Sequence, residues 1–345
     1  MQRRTQRESL LRESAYPGRA TLALLLSFGV FLIGGCASEH FRMLTRVEQH
    51  YPSASQCGEC HIEIYKEWTE SLHSKSYSSD SFRLATNDHS FEDCLGCHTP
   101  VSIHAAGVPA ARNAIREEGV TCISCHFNQG TLIGPIEPTA TVVPHEVGVE
   151  KEFFTTSSLC GTCHQGTYEE WRNAAIENKK NCQDCHMPKV KRKVTQADSL
   201  TSKILVSMEE EHMLRRHTFS FEKMEAPEEA VSLDVRWECE EQGGFAEVNV
   251  INLLPHFIPT GDFGFRKATL SLTVKSDDGK TLLEQAVDIY KETQTALRPL
   301  ERRAFRFSLP LEASRLEIVL KREGQDGAHR FIIDQHLFVK GETNW

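Results

Sequence analysis

The chain has 345 residues, 25% of them charged and 39% hydrophobic, so it is long enough for about two folded domains and is not a disordered polymer. Gly at 21 and Pro at 13 exclude collagen-like or low-complexity character, and a net charge of −9 argues against a general nucleic-acid binder. Ten of the twelve cysteines fall into five C-x-x-C pairs, each followed at once by histidine. Five of five by chance is roughly one in several million.

Residues 1–35 read as a secretory signal. Arg3, Arg4, Arg7, Arg12 and Arg19 form a basic lead, and the apolar run over 20–33 is short for a membrane span and right for a signal core. The exit, Leu32-Ile33-Gly34-Gly35-Cys36, resembles the bacterial lipobox. That resemblance implies a lipidated Cys36, anchored on a membrane surface without spanning it; ordinary signal cleavage nearby is the alternative. Ala37 after it implies outer-membrane sorting, so the expected location is periplasmic or at the cell surface. Without the leader the chain carries 34 basic and 46 acidic side chains, and its partners are expected to present basic or neutral surfaces, not nucleic acid. Residues 36–56 form a linker.

The five motifs are Cys57-Gly58-Glu59-Cys60-His61, Cys94-Leu95-Gly96-Cys97-His98, Cys122-Ile123-Ser124-Cys125-His126, Cys160-Gly161-Thr162-Cys163-His164 and Cys182-Gln183-Asp184-Cys185-His186. Two cysteines three apart on a helical turn reach the two vinyl groups of one haem as thioethers, and the adjacent histidine then coordinates the iron. Zinc sites pair C-x-x-C with a distant second pair and do not want His after each one. Vicinal C-x-x-C pairs are redox-active or metal-bound more often than structural disulfides. The motifs therefore predict five covalent c-type haems, with His61, His98, His126, His164 and His186 as proximal ligands.

Residues 57–68 and 160–171 repeat one pattern, with Tyr four and Trp seven positions after the histidine in both copies. Both aromatics fall on one helical face, where they are expected to pack against a haem edge. A gene duplication fits, and so do two similar helices selected by one packing need. Eleven histidines lie outside the motifs, enough to give every iron a second imidazole. His73, after the helical segment Trp68-Thr69-Glu70-Ser71-Leu72, leads the distal candidates. His104, His145, His217 and His89 follow. Within a pentahaem domain over 57–225, the segment 57–186 is expected to be short helices and loops with haem as its core, 131–144 its longest loop, and hardly able to fold without haem. Lys189, Lys191, Arg192 and Lys193 form a basic cluster, read either as offsetting propionates or as a solvated face.

The stretch from Cys57 through Trp68, Ser71, His73 and Ser74 resembles the opening motif of multihaem cytochromes of the cytochrome c-554 family. Gly119-Val120-Thr121 before the third motif, Cys185-His186-Met187-Pro188, and Arg216-His217-Thr218-Phe219 are further similar features. The resemblance covers about residues 55–225. It implies closely stacked haems, mostly ligated by two histidines and packed as in hydroxylamine oxidoreductase, with His73 serving a haem other than its own. The name-giving family has four haems, and this chain has five motifs.

After about Pro227 the texture becomes β. Ala268, Leu270, Leu272 and Val274 alternate with polar residues, Ser276-Asp277-Asp278-Gly279 signals a hairpin, and 282–290 returns. Phe305/Phe307/Leu309, Leu316/Ile318/Leu320 and 331–339 continue the pattern. Seven or so strands predict an immunoglobulin-like β-sandwich over 226–345, so the fold class is mixed: a mainly α/loop haem domain followed by an all-β domain. The segment Pro255-His256-Phe257-Ile258-Pro259-Thr260-Gly261 resembles a loop of sandwich domains attached to multihaem cytochromes, which makes His256 a further candidate to reach a haem. Cys239 reads as a buried small residue.

These features predict an electron carrier between redox partners at the cell envelope. One alternative is a multihaem reductase or oxidase of a small nitrogen or sulfur oxyanion, which needs one open iron. The other is a docking role for the sandwich in a larger complex.

Overall fold

The computed structural model describes residues 52–104, 107–139, 145, 147–197, 203, 206–219, 230–240, 243–263, 266–323 and 330–339. The expected signal, Cys36 and the Cys239 side chain lie outside the described residues, as do His40, His50 and His329. Residues 51–345 belong to one compact unit, and no described helix is long and apolar enough to cross a membrane.

The first half is built from short pieces. Helices α1 (Ala54–Gly58), α2 (Ile62–Glu70) and α3 (Asp80–Ala85) are followed by a 3-10 turn (Glu92–Cys94) and α4 (Leu95–His98). Helix α5 (Cys122–His126) leads into β1 (Phe127–Asn128), β2 (Thr131–Gly134) and β3 (Gly148–Val149). Then come α6 (Lys151–Thr155), α7 (Ser158–Gly161), α8 (Gln165–Asn173), α9 (Cys182–His186) and the pair β4 (Lys189–Arg192) and β5 (His212–Arg215). The expected loop over 131–144 is corrected at its start, because Thr131–Gly134 pairs with Phe127–Asn128 as a strand. The buried apolar residues of this half are few and scattered, Trp68, Phe82, Leu95, Ile123 and Ile133 among them. A segment with so little apolar core of its own relies on a prosthetic group to fill it.

The second half buries a continuous core. Strands β6 (Val231–Glu240), β7 (Gly243–Asn252) and β10 (Arg302–Leu309) form one antiparallel sheet. Strands β8 (Lys267–Lys275), β9 (Thr281–Tyr290), β11 (Arg315–Glu323) and β12 (Arg330–Val339) form the other, in the order β12-β11-β8-β9. The alternation places Val248 and Val250 of one sheet and Leu270, Leu272, Ile318 and Leu320 of the other in a single cluster, as two packed sheets require. The turn after β8 closes as expected: Gly279 N–H donates to the Ser276 carbonyl at 3.0 Å, with Gly279 at φ +85°. Ile318 is fully buried, so Ile318→Val should cost about 0.5–1.5 kcal/mol in urea unfolding and leave haem absorbance intact.

Candidate functional site

Four of the five motifs fall into two structural kinds, and the second motif stands apart. In the first and fourth, the motif histidine starts a nine-residue helix, with His61 at φ −91°, ψ 51° and His164 at φ −92°, ψ 56°. In the third and fifth, the whole C-x-x-C-H fills one short helix, entered through a capping box: Thr121 N–H donates to Ser124 Oγ at 3.2 Å and Asn181 N–H donates to Asp184 Oδ2 at 3.0 Å. The second sits across the Glu92–Cys94 turn and α4.

The repeat in the sequence is a repeat in space. Tyr65 stacks on Trp68 with centroids 5.7 Å apart, and Tyr168 on Trp171 at 5.6 Å. A Cβ on Gly58 would lie 2.5 Å from the Tyr65 ring, and one on Gly161 would lie 2.6 Å from the Tyr168 ring, which explains glycine inside both motifs. Trp68 Nε1–H donates to the Val120 carbonyl and Trp171 Nε1–H to the Lys180 carbonyl, each at 2.8 Å. Both carbonyls lie two residues ahead of a haem motif. The two tryptophans thus clamp the first motif onto the third and the fourth onto the fifth.

The cysteines tie the motifs together. The thiols of Cys57 and Cys122, of Cys97 and Cys163, and of Cys160 and Cys182 lie within hydrogen-bonding reach of each other. Cys125 is close enough to Cys160 and Cys163 for its charge to act on both. First joins third, second joins fourth, and fourth joins third and fifth.

The fit to haem is tested by the histidines. Two imidazoles sharing one metal through Nε2, each roughly 2 Å from it, hold their ring centroids roughly 6.3 Å apart. Four motif histidines face a second imidazole at that spacing. His61 and His145 are 6.3 Å apart, His164 and His73 6.2 Å, His126 and His217 6.2 Å, and His186 and His256 6.4 Å. Carbonyls accept only, so the Nδ1 atoms that face them must carry the proton. His61 Nδ1–H donates to the Val194 carbonyl at 3.0 Å, His98 to Ser76 at 2.6 Å, and His126 to Ile133 at 2.9 Å. His217 donates likewise to Arg215 at 3.1 Å and His256 to Phe257 at 3.0 Å. Each such bond leaves Nε2 as a bare lone pair, the form that binds iron. Burial pushes His73 down to about 3, with His164, His217 and His98 adding to it, and burial takes His217 and His256 to about 4. All three are neutral at physiological pH. The residues fit the group.

His104 and His89 are placed differently. His104 Nε2–H donates to the Cys125 carbonyl at 2.9 Å, and its ring stacks on Phe153. His89 Nε2–H donates to the Tyr77 carbonyl at 2.9 Å, and its ring stacks on Tyr77. His98 stacks on Phe82 at 3.8 Å, and no second imidazole faces it at the 6.2–6.4 Å spacing among the described residues.

Two carboxylates that the sequence reading passed over hold the distal side. Glu67 accepts the backbone N–H of His217 at 2.9 Å and both guanidinium nitrogens of Arg192 at 2.8 Å. Glu170 accepts the backbone N–H of Phe257 at 3.0 Å, the Thr260 hydroxyl at 2.5 Å and Lys291 Nζ at 2.6 Å. Of the basic cluster, Arg192 is therefore buried on Glu67, Lys193 donates to the Val206 carbonyl at 2.7 Å, and Lys191 pairs with Glu211 at 3.5 Å.

Residues 56–127 match the family model described as Cytochrome c554 and c-prime. Among curated proteins nothing matches. The structure is similar to the crystal structure of a penta-haem cytochrome c552 from Thermochromatium tepidum, with TM-score 0.60 and 18% identity over 84% of this chain and 98% of that one. It also matches a putative ApaA protein from Bordetella pertussis, with TM-score 0.21 and 15% identity over 33% of this chain and 94% of that one. Motif, family match and fold agree: the chain is a multihaem c-type cytochrome that resembles the cytochrome c-554 family and carries an added C-terminal β domain.

Proposed function

We propose that the chain is a pentahaem electron carrier exported to the periplasm or cell surface, held at a membrane by a lipid on Cys36, and serving redox proteins of the cell envelope. The observation that carries this reading is the joining of all five motifs into one array through Cys57–Cys122, Cys97–Cys163, Cys160–Cys182 and the approach of Cys125 to Cys160 and Cys163. Bound haem supplies a one-electron iron couple. The chain supplies ligands, orientation and shielding. At four motifs two facing imidazoles would hold the iron, and the carbonyl acceptors on Nδ1 of His61, His126, His217 and His256 would make those four better donors, which favours low potentials. A net charge of −12 after removal of the leader favours basic or neutral partner surfaces.

Intact mass should show five haem additions per chain, and a lipid addition at Cys36. Reduced protein should take up carbon monoxide at one haem at most. Uptake at two or more would sink the carrier reading.

A second reading, reduction or oxidation of a small nitrogen or sulfur oxyanion, rests on His98. Its ring alone among the five faces no imidazole among the described residues, so an open axial position would lie opposite it. A single equivalent of carbon monoxide, displaced competitively by nitrite or hydroxylamine, would favour this reading.

A further inference from the structure

Trp68 joins the first motif to the third and Trp171 joins the fourth to the fifth, and these two units have distal sides built on one plan, although their distal histidines come from different domains. In the first unit, Trp68 binds the entrance of the third motif and the residue before it, Glu67, accepts the N–H of His217, whose ring faces His126. In the second unit, Trp171 binds the entrance of the fifth motif and the residue before it, Glu170, accepts the N–H of Phe257. The neighbouring ring, His256, faces His186. Glu67 is paired with Arg192 at 2.8 Å and with Arg216 at 3.4 Å, Glu170 is paired with Lys291, and both carboxylates are largely buried. His217 follows β5 in the haem half. His256 lies in the loop between β7 and β8 of the sandwich.

That loop is fixed from both sides. Asn252 Nδ2–H donates to the His256 carbonyl at 2.8 Å, and Ile258 exchanges backbone bonds with Leu297 at 3.0 and 2.8 Å. From the haem half, Thr167 and Thr260 hydroxyls meet at 2.9 Å, and Gly166 N–H, in the first turn of α8, donates to Asp262 at 2.7 Å. The contacts converge on the segment that carries His256. A merely docked domain would have no reason to bury an imidazole opposite a motif histidine with its Nδ1–H committed to a carbonyl.

We propose that the β domain supplies His256 as the second axial ligand of the haem bound at Cys182, Cys185 and His186, with Glu170 as its positioning residue, as Glu67 is for His217. This rests on the five-haem reading above. The sandwich is then part of a haem centre, and the domain contact and the coordination of that haem stand or fall together.

The test uses full-length holoprotein. His256→Ala should keep all five haems, add one equivalent of carbon monoxide uptake over the wild type, and gain one high-spin ferric signal that added imidazole removes. Unchanged uptake and an unchanged low-spin fraction, with haem content intact, would overturn the proposal. Should that variant not accumulate, His256→Met fills the same space with a thioether. One haem of five should then titrate at a raised potential, and five unchanged potentials would overturn the proposal equally. Glu170→Ala should show the same high-spin signal in part, and Glu170→Gln, which still accepts the Phe257 N–H, should reverse much of it. A wild type taking up carbon monoxide at several haems would defeat the carrier reading and leave these differences readable.

Discussion

Arg192→Ala is expected to destabilise the holoprotein by about 3 kcal/mol at neutral pH, because it removes the two-armed partner of a buried carboxylate and leaves Arg216 at 3.4 Å to offset the charge. The Arg192 side chain is 9% exposed and Glu67 is 11% exposed, and the guanidinium meets the carboxylate fork to fork at 2.8 Å on both arms. Burial pushes the Glu67 carboxyl upward, but Arg192 and the His217 N–H outweigh it and hold the carboxyl below its usual range. A group depressed on folding stabilises above its unfolded pKa and loses that contribution as pH falls through the folded one. Without Arg192, the His217 N–H and Arg216 offset burial less completely, and the carboxyl protonates at higher pH. The gap between wild type and variant should therefore be largest at neutral pH and narrow as pH drops into the carboxylate range. Chemical denaturation at two pH values measures it, and an equal gap at both would mean that Arg192 acts through packing instead. Because Glu67 also holds the His217 backbone, some high-spin character should accompany the loss.

What could be read from the sequence was the chemistry carried by identity and spacing. The ten motif cysteines and five motif histidines need no partner from elsewhere in the chain to be recognised. The β alternation was legible in β8 to β12, where Leu270, Leu272, Ile318 and Leu320 mark one face; it is as plain in β6, where Val231, Leu233, Val235 and Trp237 alternate with polar residues, and weaker in β7, which opens on two glycines. The distal histidines were harder for a physical reason. A ring nitrogen's direction is set by long-range folding, so nearness to a motif in sequence could not tell that His104 and His89 turn Nε2 to a carbonyl while His145, far from its partner, faces His61. Glu67 and Glu170 had a signal that went unused. Both repeats end in Glu-Trp, but glutamate on a helix is usually solvated, and only the fold shows these two sealed against a distal segment.

Gly119→Ala should be the most disruptive single methyl among the described glycines of positive φ. Gly119 sits at φ 61°, ψ −132°, a region open in practice to glycine alone, and an added Cβ would collide with the His73 carbonyl and the Ser76 hydroxyl. Neither obstacle swings aside. The His73 carbonyl already accepts the Val120 N–H at 3.0 Å and the Ser76 hydroxyl at 2.9 Å, so the clash transmits to the backbone that carries the His73 ring. That ring stands 6.2 Å from His164, a spacing with no slack for a shared iron. Backbone strain and overpacking at about 1–3 kcal/mol each give an expected loss of roughly 2–6 kcal/mol. A second equivalent of altered coordination, seen as added carbon monoxide uptake, should come with it. Gly130→Ala separates the causes. Gly130 also has positive φ, at +87°, but an added Cβ there meets nothing within 4 Å. It should show the strain alone, about 1–3 kcal/mol, with coordination unchanged. If both variants altered uptake equally, the contact between Gly119 and the His73 carbonyl would not be what places the ring.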